Sequence, residues 1–329
     1  MTTVPGVFTK VQIDPFDGVV DEPGAAKNDP ILVADDVTRR FGGLTAVNVN
    51  HLEIQRGAIT ALIGPNGAGK TTLFNLLTGF DKPNSGNWSF DGESIVGLGA
   101  HRTARKGMVR TFQLTKSLAR LTVLENMKLG ATGQSGESFF RALVPSIWRG
   151  QERAIEERAD ALLQRFTLAH MRDEFAGTLS GGQRKLLEMA RALMVEPALV
   201  MLDEPMAGVN PALAQSIIGH VQQLRDEGLS VVFVEHDMDV VREISDWVVV
   251  MAEGEIVAEG RHSAIVANPR VIDAYLGAHH ATPLDRAEQD RQLAETAALI
   301  EQEELPDQQG QPEPAGPDGA QAETEEERA

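Results

Sequence analysis

The sequence predicts an α/β fold into which a helical segment has been inserted, and three observations carry that prediction. An apolar run at 59–63 leads into Gly64-Pro65-Asn66-Gly67-Ala68-Gly69-Lys70-Thr71-Thr72, after which a helix-like run continues to Leu77. Two more unbroken apolar runs, at 199–202 and 231–234, flank a helical pattern at 211–226. Strands apolar on both faces belong in a parallel sheet covered by helices. Between the first and second of these strands, residues 117–178 change to helical spacing, with Ala154, Ala159, Leu162 and Leu163 on one side of a charged stretch at 151–165.

The remaining elements follow in chain order. Residues 1–29 are polar, punctuated by Pro5, Pro15 and Pro23, and lack a sustained period, so a mobile leader is expected. Short β-type runs at 31–33 and 47–54 precede an Arg56-Gly57 turn. A second turn, Lys82-Pro83-Asn84-Ser85-Gly86, leads to 87–90 and Asp91-Gly92. Residues 247–251 and 255–259, joined by Ala252-Glu253-Gly254, predict a β-hairpin. Beyond about residue 280 the chain is acidic and polar: 285–305 has only a thin apolar stripe, and 308–329 has the composition of a disordered tail. The expected organisation is a leader at 1–29, a catalytic domain at 30–279 and a tail at 280–329.

Composition narrows the function classes. The 329 residues contain no cysteine, which excludes disulfides and thiolate metal sites. No apolar run approaches the roughly 20 residues of a membrane helix, and no basic-then-apolar N-terminal segment suggests a signal peptide. Any membrane contact is therefore expected through a partner. Net charge is −18, of which residues 285–329, with 14 acidic and 3 basic side chains, carry −11. The remaining −7 still speaks against nucleic acid as a partner, because that binding rests on Lys and Arg.

The stretch from Gly64 to Thr72 has the context of a phosphate-binding loop: strand, glycine-rich turn, helix start. Glycines let backbone N–H groups close around an anion, and the helix adds its positive end. Lys70 supplies a charge for the β- and γ-phosphates, and the Thr71 hydroxyl a ligand for Mg²⁺. The strand at 199–202 ends in Asp203-Glu204. Asp203 can hold Mg²⁺ through water and Glu204 can polarise an attacking water, assistance typically worth about 10²–10⁴-fold. Ser180-Gly181-Gly182-Gln183 opens a strong helical pattern about twenty residues earlier, offering a hydroxyl and bare N–H groups as a second anion site. These features point to a nucleoside triphosphate bound with Mg²⁺.

In this order the motifs resemble the ATP-binding subunits of ABC transporters. Ser180-Gly181-Gly182-Gln183 matches that family's signature run and Asp203-Glu204 its Walker B pair. Gln113, in Arg110-Thr111-Phe112-Gln113, stands at the Q-loop glutamine, His236 at the switch histidine, and Phe41 where the family stacks an aromatic on adenine. The resemblance covers about 31–277. It implies a P-loop NTPase core of ABC type, with an antiparallel β subdomain and an inserted helical subdomain. It also implies ATP as the nucleotide, catalytic roles for Glu204, His236 and Gln113, and metal contacts from Thr71, Gln113 and Asp203. ATP would lie between the phosphate loop of one chain and the signature run of another in a head-to-tail dimer. One departure stands in the loop after Asp203-Glu204, where Asn210 replaces the family's usual aspartate.

Local runs including Arg40-Phe41-Gly42-Gly43, Ala207-Gly208-Val209-Asn210-Pro211 and Ala274-Tyr275-Leu276-Gly277 resemble subunits energising branched-chain amino acid uptake. The resemblance implies a second, distinct ATPase chain, two integral membrane permeases and an extracytoplasmic solute-binding protein as partners. It places the chain at the cytoplasmic face of the membrane, held through the permease. The rivals are an ABC ATPase serving another solute such as urea, and a non-transport ABC ATPase. No guanine-reading Asn-Lys-x-Asp run is present, which speaks against a GTPase.

Overall fold

A computed structural model describes residues 14–111, 119–131 and 145–279. Gln113, part of the 117–178 segment and the tail at 280–329 lie outside the described residues.

In chain order the elements are β1 (Pro30–Phe41), β2 (Leu44–Gln55), β3 (Ile59–Ile63), α1 (Lys70–Leu77), β4 (Ser85–Phe90), β5 (Glu93–Ser94), α2 (Ala100–Arg105), β6 (Met108–Arg110), α3 (Val123–Leu129) and α4 (Pro145–Arg165). They continue with α5 (Gly181–Ala192), β7 (Leu199–Asp203), α6 (Pro211–Asp226), β8 (Ser230–Val234), α7 (Met238–Ile244), β9 (Trp247–Ala252), β10 (Glu255–Gly260), α8 (His262–Val266) and α9 (Pro269–His279).

Two sheets organise them. β2-β1-β4-β5 is antiparallel, and the larger sheet runs β10-β9-β3-β8-β7-β6. In the larger sheet β9, β3, β8, β7 and β6 are parallel and β10 turns back against β9. Every residue of β3 and β8 is buried, which explains why both are apolar but for Thr60 and Ser230.

Strand period two divides the interior into two cores. Ile59, Ala61 and Ile63 face one side with Val200, Leu202, Val231 and Phe233, packed by α5, α6 and α7. Leu62, Met201, Val232 and Val249 face the other, against α1 and the antiparallel sheet. Each fully buried Leu, Val or Phe contributes about 1.5–3 kcal/mol, so both faces hold the sheet in register.

The leader differs from expectation. Residues 14–29 are built into the second core, so the mobile reading fails for them. Phe16 is 1% exposed and stacks on Trp247 at 4.6 Å between ring centroids, 11° from parallel. Lys27 pairs with Glu259 at 3.3 Å with both side chains fully covered, and its ammonium sits 4.6 Å over the Trp247 ring. The Ala25 N–H donates to the same Glu259 carboxylate, 234 residues downstream. A composition reading misses this because the few residues that hold the segment, Phe16, Lys27, Asp14 and Asp21 among them, find their partners across the chain.

Candidate functional site

Three adjacent parallel strands deliver the site from their carboxyl ends: β3 into the phosphate loop, β7 into Asp203-Glu204, β8 into Glu235-His236. Crevices at such strand ends are where open α/β sheets bind ligands.

The phosphate loop is shaped by close backbone approach. Gly64 has φ +147, and a Cβ there would stand 2.0 Å from the Met251 carbonyl oxygen. Gly69 has φ +97, and its Cβ would meet the Ala46 carbonyl oxygen at 2.3 Å. Neither position accepts a side chain. Gly69 is also the N-cap of α1 and supplies no side-chain cap, so the first N–H groups of that helix face the loop. Lys70, 6% exposed, donates to the carbonyl oxygens of Gly64 at 2.7 Å and Pro65 at 2.9 Å. Burial lowers the Lys70 pKa, and the Glu204 and Asp203 carboxylates oppose that shift.

The loop borders a cavity of about 650 Å³, lined among others by Thr45, Lys70, Thr71, Glu204 and His236. A neighbouring cavity of about 540 Å³ shares Thr71 and Glu204 and adds Arg110, Lys185, Glu188 and Asp203. Lys70, Thr71, Asp203, Glu204 and His236, separated along the chain, are therefore brought together. His236 Nε2 lies 2.8 Å from Glu204 Oε1. Glu204 holds φ +47, a left-handed conformation that costs a residue of this type about 1–2 kcal/mol. Non-glycine residues in such regions cluster at functional sites.

Thr71 and Asp203 offer hard oxygen donors on one cavity wall. That suits Mg²⁺, which takes one or two protein oxygens and completes its octahedron with phosphates and water. No cluster of three or more His, Cys, Asp or Glu of metal-holding geometry exists among the described residues. The donor set thus fits a metal carried in with a nucleotide better than an all-protein cage.

Ser180, Gly181, Gly182 and Gln183 line neither cavity. They form the start of α5, where Ser180 Oγ accepts from the Gln183 N–H and Gln183 Oε1 accepts from the Ser180 N–H. Phe41 is 49% exposed at the tip of β1, with the Arg39 guanidinium 4.4 Å over its ring. Asn210 caps α6, its Oδ1 accepting from the Leu213 N–H at 2.9 Å.

Three residues escape a reading of motifs. Arg110 donates to Asp203 Oδ2 at 2.6 Å and reaches Asn75. Glu235, raised in pKa by burial, accepts from the Met206 N–H at 2.8 Å and the His236 N–H at 3.4 Å. Lys185 donates to three main-chain carbonyls after β7. Only Glu235 carried a sequence signal, an acid at the end of an apolar strand beside His236.

Comparison with known proteins fixes the family. The model described as "ABC transporter" matches residues 47–207, and that described as "Branched-chain amino acid ATP-binding cassette transporter" matches 255–281. A probable branched-chain amino acid transport ATP-binding protein LivG of Archaeoglobus fulgidus is 42% identical over 248 residues, 75% of this chain and 96% of the relative. The chain belongs to the ABC transporter family. It is an ATP-binding, ATP-hydrolysing subunit of the ABC type. Its fold matches the crystal structure of an ABC transporter's ATP-binding cassette in the ADP conformation, with 36% identity and TM-score 0.65, over 75% of this chain and 99% of that one. A cassette solved as a dimer in a post-hydrolysis state with ADP and Pi is 25% identical with TM-score 0.57, over 70% of this chain and 98% of that one. No helix among the described residues is long and apolar enough to cross a membrane.

Proposed function

We propose that this ABC ATPase is one of two cassette subunits that close head to tail over ATP and drive uptake of branched-chain amino acids. The closing partner is a related but distinct ATPase chain. Two permeases dock both subunits at the cytoplasmic face of the membrane, and a solute-binding protein delivers the cargo from outside. The amino-acid cargo rests on the relatives' names and the match at 255–281. Urea or another solute is the competing cargo.

The observation that carries the catalytic part is the 2.8 Å contact of His236 with Glu204 in the cavity that Lys70 and Thr71 also line. ATP enters with its phosphates against the N-terminus of α1 and the Lys70 ammonium, and adenine stacks on Phe41. Gly64, Pro65, Asn66, Gly67, Ala68, Gly69 and Thr72 complete the cradle around the phosphates. Thr71 and Asp203 would hold Mg²⁺, with Gln113 as a further contact, and the ion would supply charge neutralisation at the phosphates. Glu204 polarises the attacking water. With its proton on Nε2, His236 donates to Glu204 and keeps that carboxylate aimed.

Ser180, Gly181, Gly182 and Gln183 stand outside this cavity, which supports their serving the nucleotide of the partner chain. ATP then favours the closed dimer, because its phosphates are contacted from both sides only there. Hydrolysis removes that bridge, and reopening resets the permease.

The test is Glu204→Gln in the assembled transporter, with ATPase activity and uptake of leucine, isoleucine, valine and urea measured together. Turnover is expected to fall by about 10²–10⁴-fold while ATP binding persists. Full ATPase activity removes Glu204 from its role. Wild-type ATPase stimulated by urea and not by leucine, isoleucine or valine overturns the cargo.

A further inference from the structure

Lys185 lies just over one helical turn beyond Ser180 in α5. Its ammonium donates to the carbonyl oxygens of Glu204 at 3.0 Å, Pro205 at 3.2 Å and Ala207 at 2.5 Å. An ammonium has three N–H donors, and here they answer three acceptors of one turn. Burial lowers the Lys185 pKa, while the Glu235, Glu188 and Glu204 carboxylates around it favour the charged form.

The turn needs holding. Glu204 is left-handed at φ +47, and strain of that kind persists only where the surroundings over-determine it. The Glu204 N–H is fixed by the Val234 carbonyl at 3.1 Å, and the Ala207 N–H donates back to the Glu204 carbonyl at 3.1 Å. From the β8 side, Glu235 takes the Met206 N–H. From the α5 side, the Lys185 side chain reaches these carbonyls. The turn is gripped between a buried carboxylate and an ammonium, and the Glu204 side chain leaves it toward His236.

We infer that Lys185 is a positioning residue for ATP hydrolysis: it holds the 204–207 turn so that the Glu204 carboxylate meets the attacking water. The same contact joins the two halves of the composite site. α5 offers Ser180 at its first turn to the partner's nucleotide, and one turn later grips the residue that acts on this chain's own nucleotide. This inference rests on Glu204 being the group that polarises water.

The test uses the full chain in its assembled transporter with four variants: Lys185→Met, Lys185→Arg, Glu204→Gln and the double variant Glu204→Gln with Lys185→Met. Methionine keeps much of the stem and removes the donors; arginine keeps charge and donors. Lys185→Met is expected to lower kcat about 10-fold or more, with KM for ATP and ATP affinity of the full chain within about twofold. Lys185→Arg is expected to recover kcat to within about threefold of the wild type. In a Glu204→Gln background, Lys185→Met is expected to add no further loss, since the two act as one unit. An unchanged kcat overturns the inference, as does a loss matched by weaker ATP affinity or a smaller folded fraction. So does a Lys185→Arg variant as impaired as Lys185→Met. If Glu204→Gln is itself fully active, the Glu204 assignment fails; if it is inactive while Lys185→Met is normal, only the role of Lys185 fails.

Discussion

Helix α1 begins at Gly69, left-handed and without a side-chain cap, whereas α5 begins at Ser180, where a complete capping box closes the helix end. Both are glycine-rich helix starts that the proposed function sets against phosphate, yet they are finished in opposite ways. The early N–H groups of a helix have no partner within it. At α1 they are left for the ligand, and close contacts with the Met251 and Ala46 carbonyls fix the path of the loop. At α5 Ser180 and Gln183 satisfy each other, and what the box leaves unused is the Ser180 O–H, which can donate while its oxygen accepts, together with the Gly181 and Gly182 N–H groups. On the proposed in-trans geometry, a loop that holds ATP on its own is built from rigid backbone, and a run that engages the nucleotide only after closure is stable without it.

Gly64→Ala is the strongest way to test this contrast. Its Cβ would meet a backbone oxygen at 2.0 Å, an atom that cannot rotate away. About 3 kcal/mol of stability is expected to be lost, with ATP affinity reduced by about 10-fold or more, read by chemical unfolding and nucleotide titration. Wild-type affinity in that variant would break the comparison. Ser180→Ala comes next. Loss of the cap is expected to cost about 1 kcal/mol and to lower turnover of the assembled transporter, while ATP affinity of the chain alone stays unchanged. Weakened ATP binding there would place Ser180 on its own chain's nucleotide.

Gly182→Ala has the smallest expected effect on stability. Its Cβ would press on Leu213 Cδ2 at 1.7 Å, the far end of a side chain that can rotate, and alanine gains up to about 1 kcal/mol over glycine within a helix. The unfolding free energy is expected to stay within about 1 kcal/mol of the wild type. A collapse comparable to Gly64→Ala would show that α5 is as rigidly seated as the phosphate loop.

Much of this site is legible in the sequence because its chemistry is local. The phosphate loop, Ser180-Gly181-Gly182-Gln183, Asp203-Glu204 and His236 each stand at the junction of an apolar run with a turn or helix, and the runs at 59–63, 199–202 and 231–234 are strands buried on both faces. Arg110 and Lys185 were not legible as parts of the site. They are ordinary basic residues in sequence and acquire roles only through partners about ninety and twenty residues away.

By itself, then, the amino-acid order determined the α/β class, the triphosphate loop and the residue types that meet at the strand ends. Those properties depend on period, capping and turn chemistry within a few residues. Tertiary structure decided which of those residues touch. It set Glu204 against His236, clamped the 204–207 turn between Lys185 and Glu235, and kept Ser180 out of the cavity beside the phosphate loop. It also drew Phe16 and Lys27 out of an apparently featureless leader and onto Trp247 and Glu259. Contacts between distant segments are fixed by the packing of whole layers, which no local pattern encodes.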